Sequence, residues 1–211
     1  MMFRPGRYLL LAVLIMSTIA SADSPLTSTP FHEAYTELPE VAGAVEAGMS
    51  REIYDLLMSD QYPLDVKMAV INAMGWTFEG QDNAARFMEY YMADHEKVVV
   101  YEDYMSGEEL ALLAYMVSMD DYFSMGPIEP GAEGVLGMTG VDLAHAAAAR
   151  APEDFTVRMI SALILAQEAM DYDWGYVFEV VDFVMKEAQE RNMREEAIDI
   201  IMDYIGLYSE Y

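Results

Sequence analysis

Cysteine is absent from the chain. That excludes disulfides, thiol nucleophiles, cysteine-ligated zinc and iron–sulfur clusters, and leaves any fold to be held by its core. Lysine is nearly as scarce, found only at Lys67, Lys97 and Lys186. Lysine and arginine together number 11 against 37 acidic residues, a formal charge of −26. Such a surface repels the phosphates of DNA and RNA and the headgroups of anionic membranes. Histidine occurs at His32, His95 and His145 alone, with no pair four apart and no His-Glu-x-x-His, so a catalytic zinc site lacks its ligands. No nucleophile elbow, P-loop or dinucleotide fingerprint is present.

Long apolar runs are also missing, except near the N-terminus. There Arg4 and Arg7 precede an apolar stretch over residues 8–16, and Ala20-Ser21-Ala22 supplies a small-x-small cleavage pattern. Residues 1–22 therefore read as a secretory signal peptide, with the mature chain beginning at Asp23 in the periplasm or outside the cell. The alternative is an uncleaved anchor. Against it, the apolar core is short and is followed by Ser17 and Thr18. The overall apolar content of 54% is too high for a disordered acidic chain, so the carboxylates must coat a real core. High acid with little lysine fits either salt adaptation or a plain acidic exported protein.

What is present is helical periodicity, and it repeats. Val66-Lys67-Met68 is echoed 91 residues later by Val157-Arg158-Met159, and Phe87 by Phe178 at the same offset. Glu108-Glu109-Leu110 is echoed by Glu195-Glu196-Ala197 after 87 residues. The sequence predicts an all-α fold of about eight helices in two related four-helix units, over residues 49–123 and 140–211. Residues 23–48, with Pro25, Pro30 and Pro39, read as an extended linker. Residues 124–139, rich in glycine and proline, read as the joint between the units.

Within the first unit, residues 50–58 form helix one, and Pro63 is suited to the first position of helix two. From Val66 to Met74 the chain is apolar almost all round, as in a buried helix. Residues 82–93 place Ala84, Phe87, Met88, Tyr91 and Met92 on one stripe. Val98 to Tyr101 is β-branched and strand-like, but a lone strand has no partner. Ser106-x-x-Glu109 is a capping box opening helix four. In the second unit Thr139 caps helix five, Pro152 opens helix six, Asp173 caps helix seven and Asn192 marks the start of helix eight, which buries Ile200, Ile201 and Tyr204. Helix seven turns Trp174, Val177, Phe178, Val181, Val184, Met185 and Ala188 to one face.

The stretch Pro63, Asp65, Val66, Lys67, Ala69, Ala73, Met74, Gly75 resembles the first helix of HEAT-type repeats. A second copy keeps Pro152, Val157, Arg158, Leu165 and Ala166. In place of the usual Asp-Pro turn stands Thr77-Phe78-Glu79-Gly80. The resemblance implies an αα-superhelix presenting a surface to partners, and it implies no shared chemistry.

Candidate chemistry is sparse. Asp120-Asp121 and Asp171/Asp173 are the visible carboxylate pairs for acid–base work. Asp171 and Asp173 have a calcium-loop flavour, but Gly175 and Asp182 fall at the wrong offsets for an EF-hand. The 19 methionines sit mainly on apolar stripes, as core filler. Tyrosine, at 15 residues, is the better pointer, because it offers area and a hydroxyl to a partner. Trp76, Tyr90, Tyr101, Tyr172 and Trp174 are the expected partner-binding residues. The expected function is an exported, acidic, non-catalytic module that binds a protein or peptide and needs no cofactor. The alternatives are a calcium-type or salt-adapted acidic protein, and an enzyme of unknown type.

Overall fold

Where apolar side chains recur every three to four residues, the chain is helical. The computed structural model describes residues 24–211; the expected signal peptide and its cleavage point lie outside the described residues. Among them are nine α-helices and no strand: α1 (Pro39–Ala42), α2 (Arg51–Met58), α3 (Leu64–Met74), α4 (Asn83–Asp94), α5 (Gly107–Asp120), α6 (Gly140–Arg150), α7 (Phe155–Ala169), α8 (Trp174–Glu187) and α9 (Glu195–Ile205). The fold is all-α, and α2 to α9 correspond to the eight expected helices.

Three helices form the centre. Every residue of α3 is buried, and so are nearly all of α5 and most of α7. The echoing triplets lie in two of these, α3 and α7. Helix α5 packs against α3, α4, α6 and α7, and α7 packs against α6 and α8. The outer helices are amphipathic. On α4 the stripe Ala84, Phe87, Met88 and Tyr91 is buried, with Met92 at its edge. Several polar groups in the centre are satisfied within it, as burial favours. Asn72 on α3 accepts from the His32 backbone N–H at 3.0 Å and donates to the Tyr115 hydroxyl at 2.8 Å and the Thr29 carbonyl at 3.2 Å.

Residues 24–48 do not form the extended linker that their prolines suggest. They fold back in a 3-10 turn (Phe31–Tyr35) and α1. Leu26, Phe31, Tyr35 and Val41 are at most 1% exposed. Burying such side chains contributes roughly 1.5–3 kcal/mol each, enough to hold a proline-rich segment in place. The turn packs on both α3 and α9, joining the early chain to its last long helix. The contact is fixed by Arg194, whose guanidinium lies 4.4 Å from the Tyr35 ring centroid, donates to the Ala34 carbonyl at 2.8 Å and pairs with Glu37.

The glycine-rich joint is likewise tied down. Val135 is fully buried and its N–H donates to the Val100 carbonyl at 2.8 Å, the role the strand-like run 98–101 takes up. Gly134, at φ +69°, allows that approach; a Cβ there would lie 2.1 Å from the Val100 oxygen.

Caps account for most helix starts. The boxes at Ser106/Glu109 and Thr139/Asp142 are both closed, and Asp173 accepts from the Tyr176 N–H. Three expected starts move. Pro63 stands in extended backbone just before α3, which begins at Leu64. Pro152 lies in the turn after α6, and α7 begins at Phe155 with Asp154 as its cap, because the Asp154 carboxylate can accept the Val157 N–H and a proline ring cannot. Asn192 does not cap α9; it accepts from the Thr156 N–H and donates to Asp154, joining the α9 entry to α7. On α9 the inward residues are Ile198, Ile201 and Ile205, with Ile200 and Tyr204 half-buried. No helix of the described residues is long and apolar enough to cross a membrane.

Candidate functional site

The α3–α4 turn (residues 75–82) is laid across the end of α5. Gly80, at φ +79°, makes the close approach possible, and the Gln81 N–H donates to the Asp120 carbonyl at 3.0 Å. Asp82 occupies the N-cap position of α4 but makes no cap bond with its side chain, which pairs with Arg86 at 2.9 Å instead. The acceptor comes from α5. Asp120 Oδ2 receives the Ala84 N–H at 2.7 Å.

Asp120 is only 8% exposed, and its other oxygen, Oδ1, has no hydrogen-bond partner. Burial pushes its carboxyl up to about 6; hydrogen bonds from Ala84 and Asn83 oppose the shift and the charge of Asp82 adds to it. Beside it Tyr122 is buried with its hydroxyl also unpartnered. Burial and the Asp121 charge both raise the Tyr122 pKa.

These groups form one wall of a cleft of about 550 Å³ between the α3–α4 turn and the end of α5. Its rim is aromatic. Phe78 and Phe123 are 62% and 67% exposed. Behind them Trp76 stands edge-on to Phe78 and to Tyr122, each at 5.1 Å, and Phe123 packs on Tyr122. Glu79, Asp82 and Asp121 add carboxylates, and the lining contains no lysine, arginine or histidine. A second cleft of about 460 Å³, walled by Ala84, Val117, Pro127 and Ile128, shares Gln81, Asp82, Asp120 and Asp121 with the first. The two make a continuous depression, part apolar and part anionic.

The residues singled out from sequence do not converge. Asp120 and Asp121, adjacent in the sequence, both line this cleft, whereas Trp76 does not line it and packs against Phe78 and Tyr122 of its wall. Tyr90 is half-buried against Tyr54 and beneath Arg51. Tyr101 donates to Glu133 at 3.0 Å beside a separate hollow. Tyr172 and Trp174 lie at the α7–α8 turn, where Trp174 donates to the Met170 carbonyl and meets Tyr208 and Tyr211 edge-on. Trp174 does not sit on the buried face of α8, since its ring is 47% exposed. Asp173 is engaged as a helix cap, and among the described residues no three histidines or carboxylates gather as metal ligands.

Phe78, Phe123, Tyr122 and the unusual state of Asp120 were not legible as a site. The one signal was the turn Thr77-Phe78-Glu79-Gly80, where a large aromatic stands in a position that a short polar turn would ordinarily fill. Comparison with protein-family models, curated proteins and solved structures finds no match.

Proposed function

We propose that the chain is an exported, acidic, non-catalytic interaction module, a helical array whose cleft at the α3–α4 turn receives a protein or peptide partner. The observation that carries this reading is the pair of exposed phenylalanines, Phe78 and Phe123, facing a depression edged by carboxylates. Exposed large aromatics around a concavity favour partner binding, because they contribute area at little conformational cost. The lining offers acids and rings but no histidine or lysine; Thr77 Oγ1 donates to the Gly80 carbonyl, and the unpartnered hydroxyl of Tyr122 is buried. This composition supports binding over catalysis.

The test is selection from a displayed random-peptide library against the protein expressed from its full sequence. Selected peptides should bind saturably, and Phe78→Ala/Phe123→Ala should weaken them by roughly tenfold or more. Equal binding to both proteins would place recognition elsewhere. The export part of the proposal is tested separately: N-terminal sequencing of the secreted product should begin at Asp23, and an intact Met1 would contradict it.

A further inference from the structure

Arg158 is the exception among the arginines of the described residues. Arg51, Arg86, Arg191 and Arg194 pair with carboxylates, and Arg150 donates to the Glu102 and Met105 carbonyls. Arg158, half-buried near the start of α7, makes no hydrogen bond and no ion pair among the described residues, in a chain with 37 acids. It lines a hollow of about 390 Å³ where α7 begins and where α6 and α8 end, and a smaller one of about 170 Å³ beside it. Glu153 and Glu187 line both hollows with it, and neither carboxylate is paired. Opposite charges thus border one space without satisfying each other.

The helix ends divide the hollow in the same sense. The start of α7 carries partial positive charge on the side of Arg158, and the end of α8 carries partial negative charge on the side of Glu187. A simple anion would meet Arg158 but also both glutamates, and a simple cation would meet the guanidinium. A small molecule carrying both charges on neighbouring atoms suits both ends. We infer that the hollow is a binding site for a free α-amino acid: its carboxylate takes the paired N–H donors of Arg158, and its ammonium lies beside Glu153 and Glu187. Ala148 and Pro152 in the larger hollow and Phe155 in the smaller are apolar, so an aliphatic side chain suits the remaining wall. The site is separate from the cleft at the α3–α4 turn, and neither reading depends on the other.

The test is an amide chemical-shift titration of the protein expressed from its full sequence. L-leucine is the probe, set against leucinamide, which lacks the carboxylate, and N-acetyl-leucine, which lacks the ammonium. Leucine should give saturable shifts at residues 152–158 and 187–190, and both analogues should bind roughly tenfold or more weakly. Arg158→Gln and the double variant Glu153→Gln/Glu187→Gln should each weaken leucine by a similar factor. Arg158→Lys should retain part of the binding, and Arg86→Gln, which removes an equal charge from the surface of α4, should leave it unchanged. Equal binding of N-acetyl-leucine would make the hollow a plain anion site, and equal binding of leucinamide a plain acidic one; either overturns the inference. So does leucine binding that survives Arg158→Gln, or the absence of shifts at those residues up to tens of millimolar leucine. The analogue comparison uses the unaltered protein, so it decides even where a substitution prevents folding. None of these outcomes bears on peptide selection at Phe78 and Phe123.

Discussion

Asp120, the last residue of α5, accepts the backbone N–H of Ala84, the second residue of α4, at 2.7 Å. One helix end thus supplies the cap that another helix lacks, and it does so with a buried carboxylate. The same side chain forms the wall of both clefts. Structure and proposed recognition meet in one residue.

This arrangement predicts a specific pH dependence. The Asp120 carboxyl is raised to about 6 in the folded protein, above its unfolded value. The folded state therefore holds its proton more tightly. Its stabilising effect is complete below about pH 4 and is lost as pH rises through about 6, by roughly 2–3 kcal/mol. Asp120→Asn should raise stability at pH 7 by about 1–2 kcal/mol and remove that portion of the slope. Urea unfolding at pH 4.5 and 7 in both proteins measures it; parallel curves would contradict the assignment.

The Tyr35 node predicts a cost for a single hydroxyl. Tyr35 donates to Asp65 at 2.7 Å and accepts the Arg194 N–H at 3.3 Å. Burial is the chief reason its phenol titrates well above the ordinary range, with Asp65 adding to the rise. Tyr35→Phe leaves Asp65 with a lost donor and should destabilise by about 1–3 kcal/mol in urea unfolding.

Asn72 predicts a larger loss. Its amide connects His32, Thr29 and Tyr115, so one truncation strands several buried groups. Asn72→Ala should cost about 2–4 kcal/mol and loosen residues 24–38 first, as increased amide exchange there.

Two glycines in the former joint form a matched pair. Both Gly131 and Gly134 have positive φ, but a Cβ at Gly131 meets nothing within 4 Å, whereas at Gly134 it strikes the Val100 carbonyl. Gly131→Ala should cost about 1 kcal/mol from backbone strain alone. Gly134→Ala should cost at least about 2 kcal/mol more and break the Val135–Val100 hydrogen bond, readable as a lower Tm and faster exchange at Val135.

What could be read from sequence was whatever lies within a few residues. The stripe on α4, the apolar run of α3 and the cap at Ser106 all depend on partners three or four positions apart. The same reasoning failed for residues 24–48, because Pro25, Pro30 and Pro39 hide the short apolar spacing of Phe31 and Tyr35, whose partners lie on α3 and α9. It failed for Asp120 for a related reason. Its partner is 36 residues away, and the sequence presents it only as one half of the Asp120-Asp121 pair, with nothing to mark it as buried. Trp76 stood out because tryptophan is conspicuous, but it packs behind the cleft; Phe78 and Phe123 come together only where the turn is laid across α5.

The most direct measurement is an amide chemical-shift map of the protein with the tightest library-selected peptide. The account predicts perturbations concentrated at residues 76–82 and 120–124. Perturbations confined to the aromatic surface of Trp174, Tyr208 and Tyr211, with none at Phe78 or Phe123, would contradict it.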